Sequence, residues 1–402
     1  MSAPQHFSDV DYLLDGFEHV ETRDDLRERL KAGRPLNVKL GIDPTSPDLH
    51  LGFMVVLEKL QRFAEAGHRV TWIIGDFTAR IGDPSGKNVT RPQLTPTEIE
   101  ANMETYRRQA GTVLDLERIE VRHNSEWLDK LGLTDLVKLL AKTTVAQMLE
   151  RNDFHDRYTA GTAISLHEFL YPVAQAYDSI AVSADVELGG SDQLFNLLLG
   201  RHYQREYGQP PQICATVPLL VGLDGQKKMS KSLGNYVGIT EPPVEQFGKL
   251  MRIGDDLIVT YARLAAFRSQ SDCDRLAAAL ASGRANPMDE KKAIAQDVVA
   301  RYHGAEAARA ARERFEATVQ RKEIPTEGLA EVDEGDCARV AELLVKAGFA
   351  QSRREAERLI AGGGVKIDGS PVNDPKAPWT ATEPAVLSVG SRRFVRVLPR
   401  KA

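Results

Sequence analysis

The segment Gly225–Asn235, "GQKKMSKSLGN", sets three lysines and two serines between two glycines, directly after an apolar run. Ammonium groups on a segment with glycine at both ends can bring positive charge to a polyphosphate while negative charge builds in a transition state, and then withdraw it. A solvated basic loop is the plainer alternative. A second stretch, "GIDPTSPDLHLGF" (residues 41–53), runs from a strand into a helix. His50, Leu51 and Gly52 stand where that helix begins, and free N–H groups at a helix start collect anions. His50 there either donates to a phosphate oxygen or only caps the turn beside Gly52. A third stretch, "SLHEFLYPVAQAYDSI", places Tyr171, Gln175 and Asp178 at i, i+4 and i+7, on one helix face. A phenol, an amide and a carboxylate make a poor core stripe. They suit a small polar ligand, or else an exposed face. Ser165 and Glu168 read as a capping box opening this helix, and Pro172 as a kink in it.

A further glycine-rich turn, "IGDFTARIGDPSGKN", invites comparison with a P-loop and does not fit one. Gly82 and Gly86 are separated by three residues where four are needed, and Asn88 follows Lys87 where Ser or Thr is required. Walker-type chemistry is therefore not expected.

These residues need a scaffold. Five apolar runs read as strands: those from Asn37, Arg69, Arg118, Ala184 and Gln212. Their near-continuous hydrophobicity suits a parallel sheet covered on both faces. Between the first two lies a helical pattern with Met54, Leu57, Leu60 and Phe63 on one face and Gly67 as its stop. Such alternation predicts an α/β, doubly wound domain over 1–225, with ligands at the C-terminal sheet edge. The lysine segment occupies 226–240. From about Glu241 only helical patterns occur, which predicts an α-helical domain over 241–322. A polar stretch over 323–336 reads as a linker. Residues 337–402 carry two amphipathic helices and short strands, which predicts a small α+β domain.

Composition sets bounds on function. Of the 402 residues, 42% are hydrophobic and 27% charged, an ordinary globular balance. No apolar run approaches the length of a membrane span, and the first residues lack the features of a secretory signal. Cys214, Cys273 and Cys337 match no zinc or disulfide spacing, so no metal site is expected and a cytoplasmic protein is. The net charge of −5 is unevenly spread. Residues 337–402 hold 12 basic and 6 acidic side chains, leaving 40 and 51 of the totals of 52 and 57 for the rest. A basic tail on an acidic body fits a polyanionic partner or a merely solvated surface.

"HLG" after the first strand with "KMSKS" after the last resembles the signature pair of class I aminoacyl-tRNA synthetases. The chain from about residue 8 onward is similar to the bacterial tyrosyl-tRNA synthetases, in the branch whose first strand reads "KLGID". "SRREAERLIAGGGVKIDG" resembles the RNA-binding domain shared with the ribosomal protein S-four. The resemblance implies tyrosine activation by ATP with Mg2+, transfer to tRNA(Tyr), a homodimer, and no tightly bound cofactor. Thr45 and His50 would hold the ATP phosphates, Lys87 and Arg91 would assist departing pyrophosphate, and Lys228 and Lys231 would supply mobile charge. Asp43, Gly52, Gly189, Asp192, Gln193 and Ser232 would lie on the nucleotide side. Gly41, Asp83, Tyr171, Gln175 and Asp178 would line the tyrosine site, with Tyr171, Gln175 and Asp83 on the ammonium and Asp178 accepting the phenolic O–H. Arg353, Arg354, Arg358 and Lys366 would meet RNA.

Two positions depart from the family pattern. Phe53 replaces the motif's second histidine and cannot donate to a nucleotide. Lys39 stands where a tyrosine often helps read the substrate hydroxyl; it either reaches the pocket or is a solvated strand end, and the second is the reading its sequence favours. Two rivals stay open: a tryptophan-specific enzyme of the same fold, and an RNA-binding or regulatory paralogue without activity.

Overall fold

The computed structural model describes residues 6–45, 48–84, 95–320, 329–390 and 393–399. Lys87 and Arg91 lie outside the described residues. The chain divides into two compact units: 1–242 with 249–298, and 243–248 with 299–402. The helical residues that follow the first sheet are shared between them.

The first unit is built on strands β1 (His19–Glu21), β2 (Asn37–Ile42), β3 (Arg69–Ile74), β4 (Ile119–His123), β5 (Val186–Gly190) and β6 (Ile213–Val217), in the order β1-β6-β5-β2-β3-β4. The five strands legible as apolar runs pair in parallel. β1 has no counterpart among those runs; it is a three-residue antiparallel edge on β6 and is too short and polar to show a pattern. The helix Leu51–Glu65 packs its predicted face inward, with Met54, Leu57, Leu60 and Phe63 all 0% exposed. Each such side chain contributes roughly 1.5–3 kcal/mol of burial. Because the strand order reverses between β2 and β5, the crevice at their C-terminal ends lies open to a ligand.

The segment read from "SLHEFLYPVAQAYDSI" forms a short 3-10 turn, Leu166–Phe169, then the helix Leu170–Ala181. Glu168 accepts from the Ser165 N–H at 2.8 Å, as the capping box predicts. Pro172 causes no break inside the helix. It sits in the first turn, where its missing N–H costs nothing.

In the second unit the helices Val340–Lys346 and Arg353–Ala361 pack on strands β7 (Glu331–Asp333), β8 (Val365–Ile367), β9 (Ser370–Pro371), β10 (Ala385–Val389) and β11 (Arg393–Leu398), ordered β7-β11-β10-β8-β9. Leu343, Leu344, Ile360, Val365, Leu387, Val395 and Val397 form its core. β7 falls inside the stretch read as a linker, and pairs in parallel with β11. No helix among the described residues is long and apolar enough to cross a membrane.

Candidate active site

A cavity of about 660 Å³ opens at the C-terminal edge of the first sheet. Gly41, Asp43, Thr45, His50, Gly52, Asp83, Tyr171, Gln175, Asp178, Gly189, Asp192, Gln193, Lys228, Lys231 and Ser232 all line it. The residues singled out for nucleotide and for amino acid, from segments far apart in sequence, therefore share one site.

One wall is the start of the helix Leu51–Glu65. His50 is its N-cap and accepts the Gly52 N–H on Nδ1 at 3.2 Å. A neutral ring that accepts on Nδ1 carries its proton on Nε2 and can donate there. Burial pulls the His50 pKa down to about 4, helped by the charges of Lys231 and Lys228, so the ring is neutral near pH 7. Gly52 allows this arrangement, since a Cβ there would sit 3.0 Å from the His50 ring. Phe53 packs against the same ring, with centroids 4.6 Å apart. Its place is thus an apolar prop for His50.

The lysine segment folds over the cavity and is held at both ends. Lys228 Nζ lies 2.5 Å from Asp192 Oδ2, and Lys231 Nζ donates to the Asp48 carbonyl oxygen. Burial lowers the Lys231 pKa, with the Asp48 charge opposing. Asn235 staples the base: its Oδ1 accepts the Ser230 N–H at 2.8 Å and its Nδ2 donates to Asp224 at 2.8 Å. Gly225 and Gly234 take φ of +73° and +65°, a backbone region costly for other residues, so the chain turns at both glycines that flank the lysines.

The part of the cavity expected to take an amino acid is a buried polar network. The Trp127 indole N–H donates to Asp178 Oδ1 at 2.8 Å, and Asn124 Nδ2 to Asp178 Oδ2 at 3.3 Å. Burial raises the Asp178 pKa to about 7, while the Lys39 charge and these two donors pull it back. Tyr171 donates to Asp43; burial, with the charges of Asp43 and Asp83, pushes its phenol well above the usual range. Asp43 also accepts from Thr78 Oγ1 at 2.7 Å. Gln175 Oε1 accepts from Asn196 at 3.0 Å. Asp83 accepts from Gln193 at 3.0 Å and from Arg151 at 3.2 Å.

Lys39 is corrected by the structure. It is not a solvated strand end but 1% exposed, on a central strand between β3 and β5. Its Nζ lies 3.0 Å from Glu187 Oε1, and that neutralisation makes burial of the charge tolerable.

Several site residues carry no motif. Asn124 and Trp127 follow directly on β4, so the rule that ligands bind beyond strand C-termini could have found them. Arg151 gives no such signal, since a lone arginine in a polar stretch reads as solvated. It is nearly buried, paired with Asp83 and Asp153, and bonded to Asn196 Oδ1 at 3.1 Å.

In the second unit Arg354, Arg358 and Lys366 are exposed. Arg353 is exposed too, but shares its charge with Glu342 at 3.4 Å and Glu357 at 3.6 Å.

Comparison with known proteins matches residues 31–320 to the family described as tRNA synthetases class I (W and Y). The chain belongs to that family. Residues 338–379 match the S4 domain. A relative from Cupriavidus pinatubonensis, named tyrosine–tRNA ligase, is 53% identical over 365 residues, covering 91% of this chain and 88% of its own. One of the same name from Moorella thermoacetica is 51% identical over 372 residues, covering 92% and 90%. The class I fold is shared with a truncated mitochondrial tyrosyl-tRNA synthetase from Aspergillus nidulans, at TM-score 0.62 and 22% identity, over 77% of this chain and 93% of that one.

Proposed function

We infer that this chain is a tyrosine–tRNA ligase. It joins L-tyrosine to ATP as tyrosyl-adenylate, releasing pyrophosphate, and passes the tyrosyl group to the terminal adenosine of tRNA(Tyr). The observation that carries this reading is the meeting, in one cavity, of a capped helix start with two lysines and a buried carboxylate held by Trp127 and Asn124. The first group suits a triphosphate, and the second suits a hydroxyl.

The chemistry is an in-line attack by the tyrosine carboxylate on the α-phosphate. It needs positioning and charge stabilisation and no covalent intermediate on the protein. Thr45 and the Nε2–H of His50 hold phosphate oxygens, and Gly52 leaves them room. Lys228 and Lys231 balance charge on the leaving pyrophosphate, with Ser232 beside them. Lys87 and Arg91, outside the described residues, would add to this by the family resemblance. Asp192, Gln193 and Gly189 take the nucleoside side, and Mg2+ enters with ATP as part of the substrate. Asp83, Gln175 and Tyr171 face the ammonium, with Asp43 holding Tyr171. The ring passes over Gly41, and Asp178 accepts its O–H. A site that binds a hydroxyl rejects phenylalanine, which leaves the acceptor unpaired, an effect for which this enzyme family is itself the standard example.

Arg354, Arg358 and Lys366, with Arg353, form the RNA contact, in a cytoplasmic enzyme. The partner for the apolar face of the helix Leu133–Leu140 is a second copy of the chain. Leu133, Val137 and Leu140 are 79%, 59% and 38% exposed on that face. Leaving such a stripe in water is unfavourable.

The test is pyrophosphate exchange into ATP with tyrosine, phenylalanine and tryptophan side by side. Exchange with tyrosine alone is expected. Exchange with tryptophan would move the substrate, and none at all from folded, tRNA-binding protein would favour an inactive paralogue.

A further inference from the structure

The reading above gives no role to Lys39, a buried cation beside the cavity. Lys39 stands on β2 and Glu187 on β5, and both bond to Gln175, which lines the cavity. They are direct partners across the parallel pair β2–β5. Each is 1% exposed. Lys39 Nζ also donates to the Gln175 carbonyl oxygen at 3.3 Å, and Glu187 accepts from Gln175 Nε2 at 3.2 Å, from Ser179 Oγ at 3.1 Å and from Gln212 Nε2. The pair thus ties the sheet to the turn of the helix Leu170–Ala181 that carries both Gln175 and Asp178.

A buried ion pair is a poor way to gain stability, because apolar residues of similar volume do as well or better. Its position under a substrate-reading turn gives it another use. We propose that Lys39 is a specificity-determining positioning residue: it fixes the turn bearing Asp178 and supplies the positive charge that keeps Asp178 an acceptor for the substrate hydroxyl. The proposal rests on the reading of Asp178 given above.

The groups facing Asp178 make the sign clear. Trp127 and Asn124 donate to it from beyond β4, and Asn124 also reaches Thr78. Lys39 acts from β2 and Glu187 from β5. Among the influences that favour the carboxylate, the Lys39 charge is the largest, and Glu187 opposes it more weakly. Removing the whole pair therefore shifts Asp178 toward its protonated form, although it leaves no charge uncompensated.

The experiment is pyrophosphate exchange as a function of pH, with tyrosine and with phenylalanine. It compares the unaltered protein with Lys39→Arg, the double variant Lys39→Met/Glu187→Gln, and Asp178→Asn, each checked for folding by thermal melting. In the double variant the acid limb of kcat/KM for tyrosine should move up by about one pH unit, and the tyrosine-to-phenylalanine ratio at neutral pH should fall about tenfold. The KM for ATP should hold, and Lys39→Arg should keep the original limb. A double variant that folds and retains both the limb and the ratio overturns the proposal, because Lys39 is then only the structural partner of Glu187. Asp178→Asn separates the two levels. If it keeps the ratio, the reading of Asp178 falls and the proposal with it; if it loses the ratio while the double variant does not, only the proposal falls.

Discussion

Lys228 Nζ and Asp192 Oδ2 are 2.5 Å apart, so the first lysine of "KMSKS" rests on a carboxylate of the cavity's own wall. Both side chains are partly exposed, and a pair of this kind adds little to stability. On the function proposed above, it parks a charge that an arriving triphosphate can claim. Lys228→Ala and Lys231→Ala should each slow tyrosyl-adenylate formation about a hundredfold, with little change in ATP affinity or melting temperature. Stopped-flow and equilibrium binding check this. Weak ATP binding with an unaltered chemical step would contradict a transition-state role.

His50 should titrate with a midpoint near 4, as followed by the ring proton resonances. Its folded value lies below the ordinary 6.5, so its stabilising contribution is complete above that pH and is lost as pH falls toward 4. His50→Gln should therefore narrow its stability gap to the unaltered protein as the solution is made acid. A His50 signal titrating near neutrality would show that the ring is not the neutral donor described.

Arg151 pairs with Asp83 and also balances Asp153. Arg151→Met should destabilise the first unit by about 3 kcal/mol, since it takes a buried guanidinium away from two partly buried carboxylates. It should also raise the KM for tyrosine. Arg151→Lys keeps the charge and loses the fork, so it should fall between. Urea unfolding with tyrosine kinetics tests both; a folded Arg151→Met with normal tyrosine KM would show that Asp83 needs no such support.

Val137→Glu on the exposed apolar face should convert a dimer to monomer in sedimentation at micromolar concentration. A monomeric unaltered protein would leave Leu133, Val137 and Leu140 without the partner assigned to them.

Arg354→Ala should reduce the salt dependence of tRNA binding by about 0.7–0.9 in the log–log slope if it neutralises one phosphate. Arg353→Ala should do less, because Glu342 and Glu357 already share its charge.

Much of this is legible in the sequence alone. Central parallel strands are buried on both faces, so β2, β3, β5 and β6 announce themselves as apolar runs, and His50, Gly52 and the lysine segment are tied to short motifs. Side chains that hold other side chains do not announce themselves. Trp127, Asn196 and Arg151 reach Asp178, Gln175 and Asp83 from separate elements, and only the fold brings them there. Lys39 misleads for the same reason. A charge inside an apolar run looks like a frayed end until Glu187, on another strand, is seen beside it.

The strand order also dictates when the site can exist. β2 is made of residues 37–42, yet one of its two neighbours is 186–190, whose own outer neighbour is 213–217. During synthesis, then, Lys39 emerges long before the carboxylate that neutralises it, and β2 waits with an open edge. Pairings this distant are slow to form and expose strands to wrong partners meanwhile. The crevice between β2 and β5 is therefore a late product of translation, and a nascent chain stopped short of β5 lacks one of its walls, whatever motifs it already carries.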